Sequence, residues 1–235
     1  MKGIYVVLFS MITYCLAYAQ NDVNQKVLSA EKDIDSMTKF GRVLIDRFQT
    51  DNRQKYGSFN FLEFDIRAMK DTQSDSLVLN IECIGDALGN DWIRVMPEDM
   101  DVFLQSMNTI LEKYIEWSDV AKTNNITNFR KDIPLQVKPR VYDAFIHTDA
   151  KRENYYLRTL EASFFVDEDG KPSVSIGIRK RGSSFDTKLY FTSVDKLEHL
   201  VYLIQPSYVS SVYENTQKRI KELEEATQSR DALFN

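Results

Sequence analysis

The sequence predicts an α+β protein made of two similar antiparallel sheet–helix units, with an N-terminal helical arm before them and a C-terminal helix after them. Three observations predict it. Short runs alternate apolar and polar side chains, the period of a half-buried strand. Clusters of Gly, Asp, Asn and Ser separate these runs and mark turns. Twice, at 95–110 and 191–204, a run passes through a polar corner into a segment with apolar residues at helical spacing.

The first residues, MKGIYVVLFSMITYCLAYAQ, carry one charge at Lys2, an apolar run from Ile4 to Leu16, and Ala17 and Ala19 before Gln20. This is the layout of a secretory signal peptide. The run is shorter than the roughly 20 residues of a spanning helix, and Tyr14 occupies the place where a bacterial lipoprotein signal has a small residue before its cysteine. Cleavage after Ala19 removes Lys2 as the only charged residue, so the net charge of −5 becomes −6. Export to the periplasm or the exterior follows, with no membrane insertion of the mature chain. An acidic chain has no general pull toward nucleic acid or anionic membrane. Once the leader and Cys15 are gone, Cys83 stands alone, so no intramolecular disulfide forms. It shares a strand face with Leu77, Leu79 and Ile81, where it reads as a small buried hydrophobe.

Residues 20–39 are polar with loosely spaced Val27, Leu28, Ile34 and Met37, a helical arm. The first unit spans 40–123. Phe40 to Phe48 fits a strand or a helix. In FLEFDIRAM, Leu62, Phe64, Ile66 and Ala68 face one way and Glu63, Asp65 and Arg67 the other. SLVLNIECI and WIRV are the next strands. Pro97 sits at a first helical turn, and Met100, Phe103, Leu104, Met107 and Leu111 form its core stripe. The polar stretch KTNNITNFRKD marks the boundary to the second unit, 124–205. There a proline-marked strand or strand pair precedes Leu160, Ala162, Phe164 and Val166, then Val174, Ile176 and Ile178, then Leu189 and Phe191. Leu197, Leu200, Val201 and Ile204 line the helix that follows a capped corner at Ser193. In the last segment, 206–235, Pro206 breaks the preceding helix, and Ser211 with Glu214 has capping-box spacing.

Side by side, Leu62 matches Leu160, Ile81 matches Ile176, Val95 matches Phe191, and Met100 matches Leu197, a near-constant offset that suggests a tandem duplication. In this order of elements, from Phe40 to Gln205, the chain resembles the plant Whirly single-stranded DNA-binding proteins. That family's lysine-rich DNA-binding signature has no counterpart here, so the resemblance implies a fold and not an activity.

Catalytic and metal motifs are absent from the sequence: there is no H-E-x-x-H, paired-cysteine, G-x-S-x-G or Walker pattern. His147 and His199 fall in different elements. In VDEDGKPS a calcium loop would place Phe165 at its first ligand position, so the segment reads as a hairpin turn. Glu98 and Asp99 suit the start of a helix. No cofactor is expected. The strongest basic feature is Arg179, Lys180 and Arg181, near Tyr190, a candidate binding surface of the kind that stacks single-stranded nucleic acid, although the acidity disfavours that partner. On the last helix, Tyr213, Thr216, Ile220, Leu223 and Thr227 draw a stripe suited to packing on the protein itself or to a weak homodimer. The expected function is an exported, non-catalytic binding or structural module of the bacterial envelope or exterior, with a protein or glycan partner. The alternative is an enzyme whose acidic residues are assembled by the fold.

Overall fold

The computed structural model describes residues 38–39, 41–51, 61–71, 74–84, 92–147, 152–178 and 188–231. Residues 20–37 of the N-terminal arm and the RKR segment lie outside them, as does the side chain of Cys83. The last two residues of the expected helical arm, Thr38–Lys39, form a strand and not a helix. The chain divides into two compact units, Arg42–Tyr213 and a smaller one that joins Met1–Gly41 to Glu214–Asn235. In the smaller unit the described elements are β1 (Thr38–Lys39) and the distal part of the last helix.

The larger unit carries β2 (Arg42–Asp51), β3 (Phe61–Lys70), β4 (Leu77–Ile84), β5 (Trp92–Val95) and α1 (Met100–Thr123). There follow β6 (Phe129–Asp132), β7 (Arg140–His147), β8 (Arg152–Val166), β9 (Pro172–Ile178), β10 (Lys188–Phe191), α2 (Val194–Leu203) and the start of α3 (Pro206–Asp231). The ambiguous segment at 40–48 is thus a strand. The sheet order is β2-β3-β4-β5-β7-β8-β9-β10, and each neighbouring pair is antiparallel.

The long strand β8 holds the sheet together. Its first half pairs with β7, and its second half pairs with β9 on one edge and β6 on the other. Ile133 N donates to Ala162 O at 2.9 Å, and Leu160 N donates to Pro139 O at 3.3 Å. β6 and β7 therefore follow one another along a single edge of β8, with 134–138 looped out where Pro134 and Pro139 deny the ladder an N–H.

The alternating residues build the core as the sequence predicts. Phe64, Ile66, Ala68, Leu79, Ile81, Ile93 and Val95 are buried, and so are Leu160, Ala162, Phe164, Val174, Ile176, Leu189 and Phe191. α1 packs on β8 and β9, and its stripe runs further than the sequence suggests, through Ile110 and Tyr114 to Ala121. Phe164 lies between Tyr114, with ring centroids 6.3 Å apart, and Trp117, at 5.7 Å edge-on. In α2, Leu197, Leu200 and Val201 are buried as expected.

Two expected caps are replaced by other devices. Ser193 makes no side-chain capping bond. The corner is fixed instead by Asp51 at the end of β2, which accepts from Thr192 N (3.0 Å), Thr192 Oγ1 (2.9 Å) and Lys196 Nζ (2.5 Å). This carboxylate ties the first strand of the larger unit to its last, where β10 touches β2. The Ser211–Glu214 box is likewise not a helix start. α3 begins at Pro206, whose missing N–H costs nothing in the first turn, so Ser211 lies inside the helix. The 167–171 hairpin is a turn as expected: Gly170 takes φ +77°, and Asp167 Oδ1 accepts from Asp169 N and Lys171 N.

Candidate functional site

The second face of β2–β5 carries charges that the sequence analysis assigned only to the side opposite the core. Alternation puts Asp65 and Arg67 on that face of β3, Asn80 and Glu82 on β4, and Arg94 on β5. Register sets Arg67 opposite Asn80 and Asn80 opposite Arg94, with Asp65 opposite Glu82. All of them, with Arg42 from β2, are buried.

Arg67 is the centre of this layer. Its Nη2 donates to Asp65 Oδ2 at 2.7 Å, its Nη1 donates to the Arg42 carbonyl at 3.4 Å, and its Nε lies 3.6 Å from Glu82 Oε2. Asp65 Oδ1 accepts from Arg47 Nε at 2.9 Å, and this hydrogen bond, with the carboxylate's charge, raises the pKa of Arg47. Arg42 Nε comes within 2.7 Å of Glu82 Oε1, off the N–H direction, so the contact is an ion pair and not a hydrogen bond. Arg94 Nε donates to Asn80 Oδ1 at 2.7 Å, while Asn80 Nδ2 has no partner among the described residues.

Buried charges survive only when paired and hydrogen-bonded. Asp65 and Glu82 are the carboxylate pair that an enzyme with fold-assembled acids would need. Arg67 bridges them, and each oxygen of Asp65 already accepts from a guanidinium. The arrangement is suited to holding charge in place. A sequence signal for it existed: Asp65 and Arg67 lie two apart on one strand, and the next carries Glu82, which stands directly opposite Asp65 and diagonal to Arg67.

A second feature lies where β6 meets β8. Residues 128–130 and 165–168 line a cleft of about 520 Å³. Phe129 is 40% exposed at its mouth. The Arg130 guanidinium stands 5.2 Å from the Phe165 ring centroid, and the Lys131 ammonium 4.4 Å from that of Trp117, so each face of β6 carries a cation over an aromatic ring. Ser163 Oγ donates to Asp132 Oδ1 at 2.7 Å. The sequence analysis placed this strand in a polar boundary, because FRKD has no apolar alternation. All four residues are exposed.

Of the predicted site residues, Arg179, Lys180 and Arg181 lie outside the described residues, and Tyr190 is half-buried opposite Ser175. On α3, Tyr213 and Ile220 are buried and Leu223 is half-buried, so the predicted stripe is the least exposed face of that helix. Lys218–Glu222 and Lys221–Glu225 pair at four-residue spacing on its other side, 3.9 and 3.7 Å apart. His199 is exposed. Asp99, expected simply to favour a helix start, is buried and accepts from Arg140 Nε at 2.9 Å, a bond that raises the Arg140 pKa. Among the described residues no group of His, Cys, Asp and Glu could hold a metal ion, and no helix is long and apolar enough to cross a membrane. Comparison with protein-family models, curated proteins and solved structures returns no match for this chain.

Proposed function

We propose that this chain is an exported, non-catalytic binding or structural module of a bacterial envelope or exterior, and that a protein or glycan partner sits in the cleft between β6 and the β8–β9 turn. The observation that carries the proposal is how the buried charges are used. Asp65 is held between Arg67 and Arg47, Glu82 lies beside Arg42 and Arg67, Asp99 is bonded to Arg140 and Asp51 to Lys196. Carboxylates so engaged support a rigid scaffold, whereas a general base needs a lone pair aimed at a substrate. The cleft, by contrast, is lined by Phe129, a partly exposed ring, and by Arg130, whose guanidinium stands over the Phe165 ring, a mixture of aromatic and cationic groups suited to a sugar face or an extended peptide. Export rests on the charge, apolar and A-x-A layout of residues 1–19.

The test uses mature chain starting at Gln20. Arrays of cell-wall glycans and of extended peptides should yield a ligand whose binding is lost in Phe129→Ala, a substitution at a partly exposed ring. Turnover of a glycoside, ester or phosphate substrate, abolished by Asp65→Asn with the fold intact, would instead establish the enzyme alternative. Native protein beginning at Met1 would remove the export component.

We also propose that the strands and helices descend from a duplicated unit. Support comes from register: Ile81 opposes Ile93 and Leu79 opposes Val95, while Ile176 opposes Leu189 and Val174 opposes Phe191. The preceding strand agrees, with Ala68 opposite Leu79 and Phe164 opposite Val174. On this register Leu160 corresponds to Phe64 and not to Leu62, because Leu160 opposes Ile178 as Phe64 opposes Cys83.

A further inference from the structure

Strand β6 pairs with β8 along one edge, and among the described residues no strand pairs with its other edge. The Ile133 N–H points to β8. By the two-residue alternation of a strand, Phe129 and Lys131 also turn their backbone groups to β8, and Arg130 and Asp132 turn theirs outward. An open edge of this kind is a template for another strand. Proteins often protect such an edge with charge, but here the two outward residues, Arg130 and Asp132, carry opposite signs.

We propose that two copies of the chain pair through their β6 edges, antiparallel, about a two-fold axis at Lys131. In an antiparallel ladder the outward-facing residues of one strand must oppose those of the other. Centring on Lys131 sets Arg130 opposite Asp132 of the second copy, and Asp132 opposite its Arg130. The two outward pairs then exchange four backbone hydrogen bonds, and each pair carries opposite charges side by side. The contact is isologous, so it closes at a dimer and does not propagate.

The side chains are already placed for this pairing. Arg130 and Asp132 have side-chain exposures of 65% and 80%, and Arg130 Nη2 is 3.8 Å from Asp132 Oδ1 of its own strand, a loose contact that can be exchanged for one between copies. Ser163 holds the Asp132 carboxylate, and Phe165 supports the Arg130 guanidinium. The axis brings Lys131 opposite Lys131 on the other face, where each ammonium is drawn over its own Trp117 ring. Arg130 also lines the cleft, but Asp132 and the strand's outward backbone edge do not, so Asp132→Arg tests the pairing separately from the cleft's ligand.

Sedimentation equilibrium of the mature chain tests it. Wild type should show a concentration-dependent dimer. Arg130→Asp alone, or Asp132→Arg alone, opposes like charges twice and should weaken association about tenfold, which corresponds to about 1.4 kcal/mol. The double swap R130D/D132R should return the dissociation constant to near the wild-type value. An equal mixture of the two single variants should form a heterodimer, because every opposed pair is then complementary. Both substitutions fall on exposed side chains, so the variants fold. A wild type that stays monomeric at high concentration overturns the proposal, as do single variants that dimerise like wild type, or a mixture that fails to associate.

Discussion

Deleting the guanidinium of Arg67, which touches both Asp65 and Glu82 on the second face of β2–β5, should destabilise the protein measurably. Arg67→Met is the cleanest perturbation, because methionine keeps most of the aliphatic stem and leaves little cavity. Breaking a buried pair costs about 3–5 kcal/mol, since a charge is left behind without its partner. The Arg67 and Asp65 side chains are 7% and 6% exposed, which puts the pair in that regime. Two features hold the loss to the low end, about 3 kcal/mol. One contact is short, to Asp65, whereas those to Glu82 and the Arg42 carbonyl are 3.6 and 3.4 Å. Each carboxylate also keeps a second guanidinium, Arg47 for Asp65 and Arg42 for Glu82. Urea unfolding at neutral pH should then show the midpoint falling by about 1 M with the slope unchanged, taking a slope near 3 kcal/mol/M. Arg47→Ala is the control: its side chain is 52% exposed, and its loss should cost less than about 1 kcal/mol. Asp65→Asn combined with Arg67→Met should cost less than the sum of the two alone by about 1–3 kcal/mol. An Arg67→Met loss below about 0.5 kcal/mol, the usual range for a surface substitution, would refute a buried, paired layer.

Three further outcomes are expected. Burial pulls the Asp51 carboxyl upward, but bonds from Lys196 and Thr192 outweigh it, and its pKa lies below the ordinary 3.8; its stabilisation is therefore full above that value and fades as pH falls through the lowered one. Unfolding of wild type and Asp51→Asn should accordingly differ at pH 7 and converge in strong acid, and a constant gap would contradict the clasp. Burial first, and the Asp51 charge second, push the Tyr114 phenol up to about 12. Because the folded state holds the neutral phenol, its stabilisation is lost as pH rises past the ordinary value of 10, and a 295 nm titration of Tyr114→Phe against wild type should find the Tyr114 step absent below pH 11. Ile81→Ala and Ile176→Ala, at positions each 1% exposed, should each cost about 2–5 kcal/mol by calorimetry or urea; a near-neutral result at either would mean the site is not closely packed.

The amino-acid sequence by itself determined where most strands and the core stripes of the helices in the larger unit lie, and which of their residues share a face. Period-two alternation in FLEFDIRAM or in Val174, Ile176 and Ile178 is a local property, and so is the helical spacing of Leu197, Leu200 and Val201; each reports its own geometry without reference to the rest of the chain. It did not reveal whether the opposite face meets water. Asp65 and Arg67 alternate with Phe64 and Ile66 just as solvent-facing residues would, and only the burial of Arg42, Asn80, Glu82 and Arg94 beside them makes that face a second interior. Partners distant in sequence were equally out of reach: Asp51 meets Thr192 across 141 residues, and that contact, not a local serine cap, fixes the corner into α2. β6 is the sharpest case. Phe-Arg-Lys-Asp has no strand pattern of its own, and it is extended because β8 offers an unfilled length of edge. Backbone hydrogen bonding, which is blind to side-chain identity, chose that strand; side-chain alternation could not have.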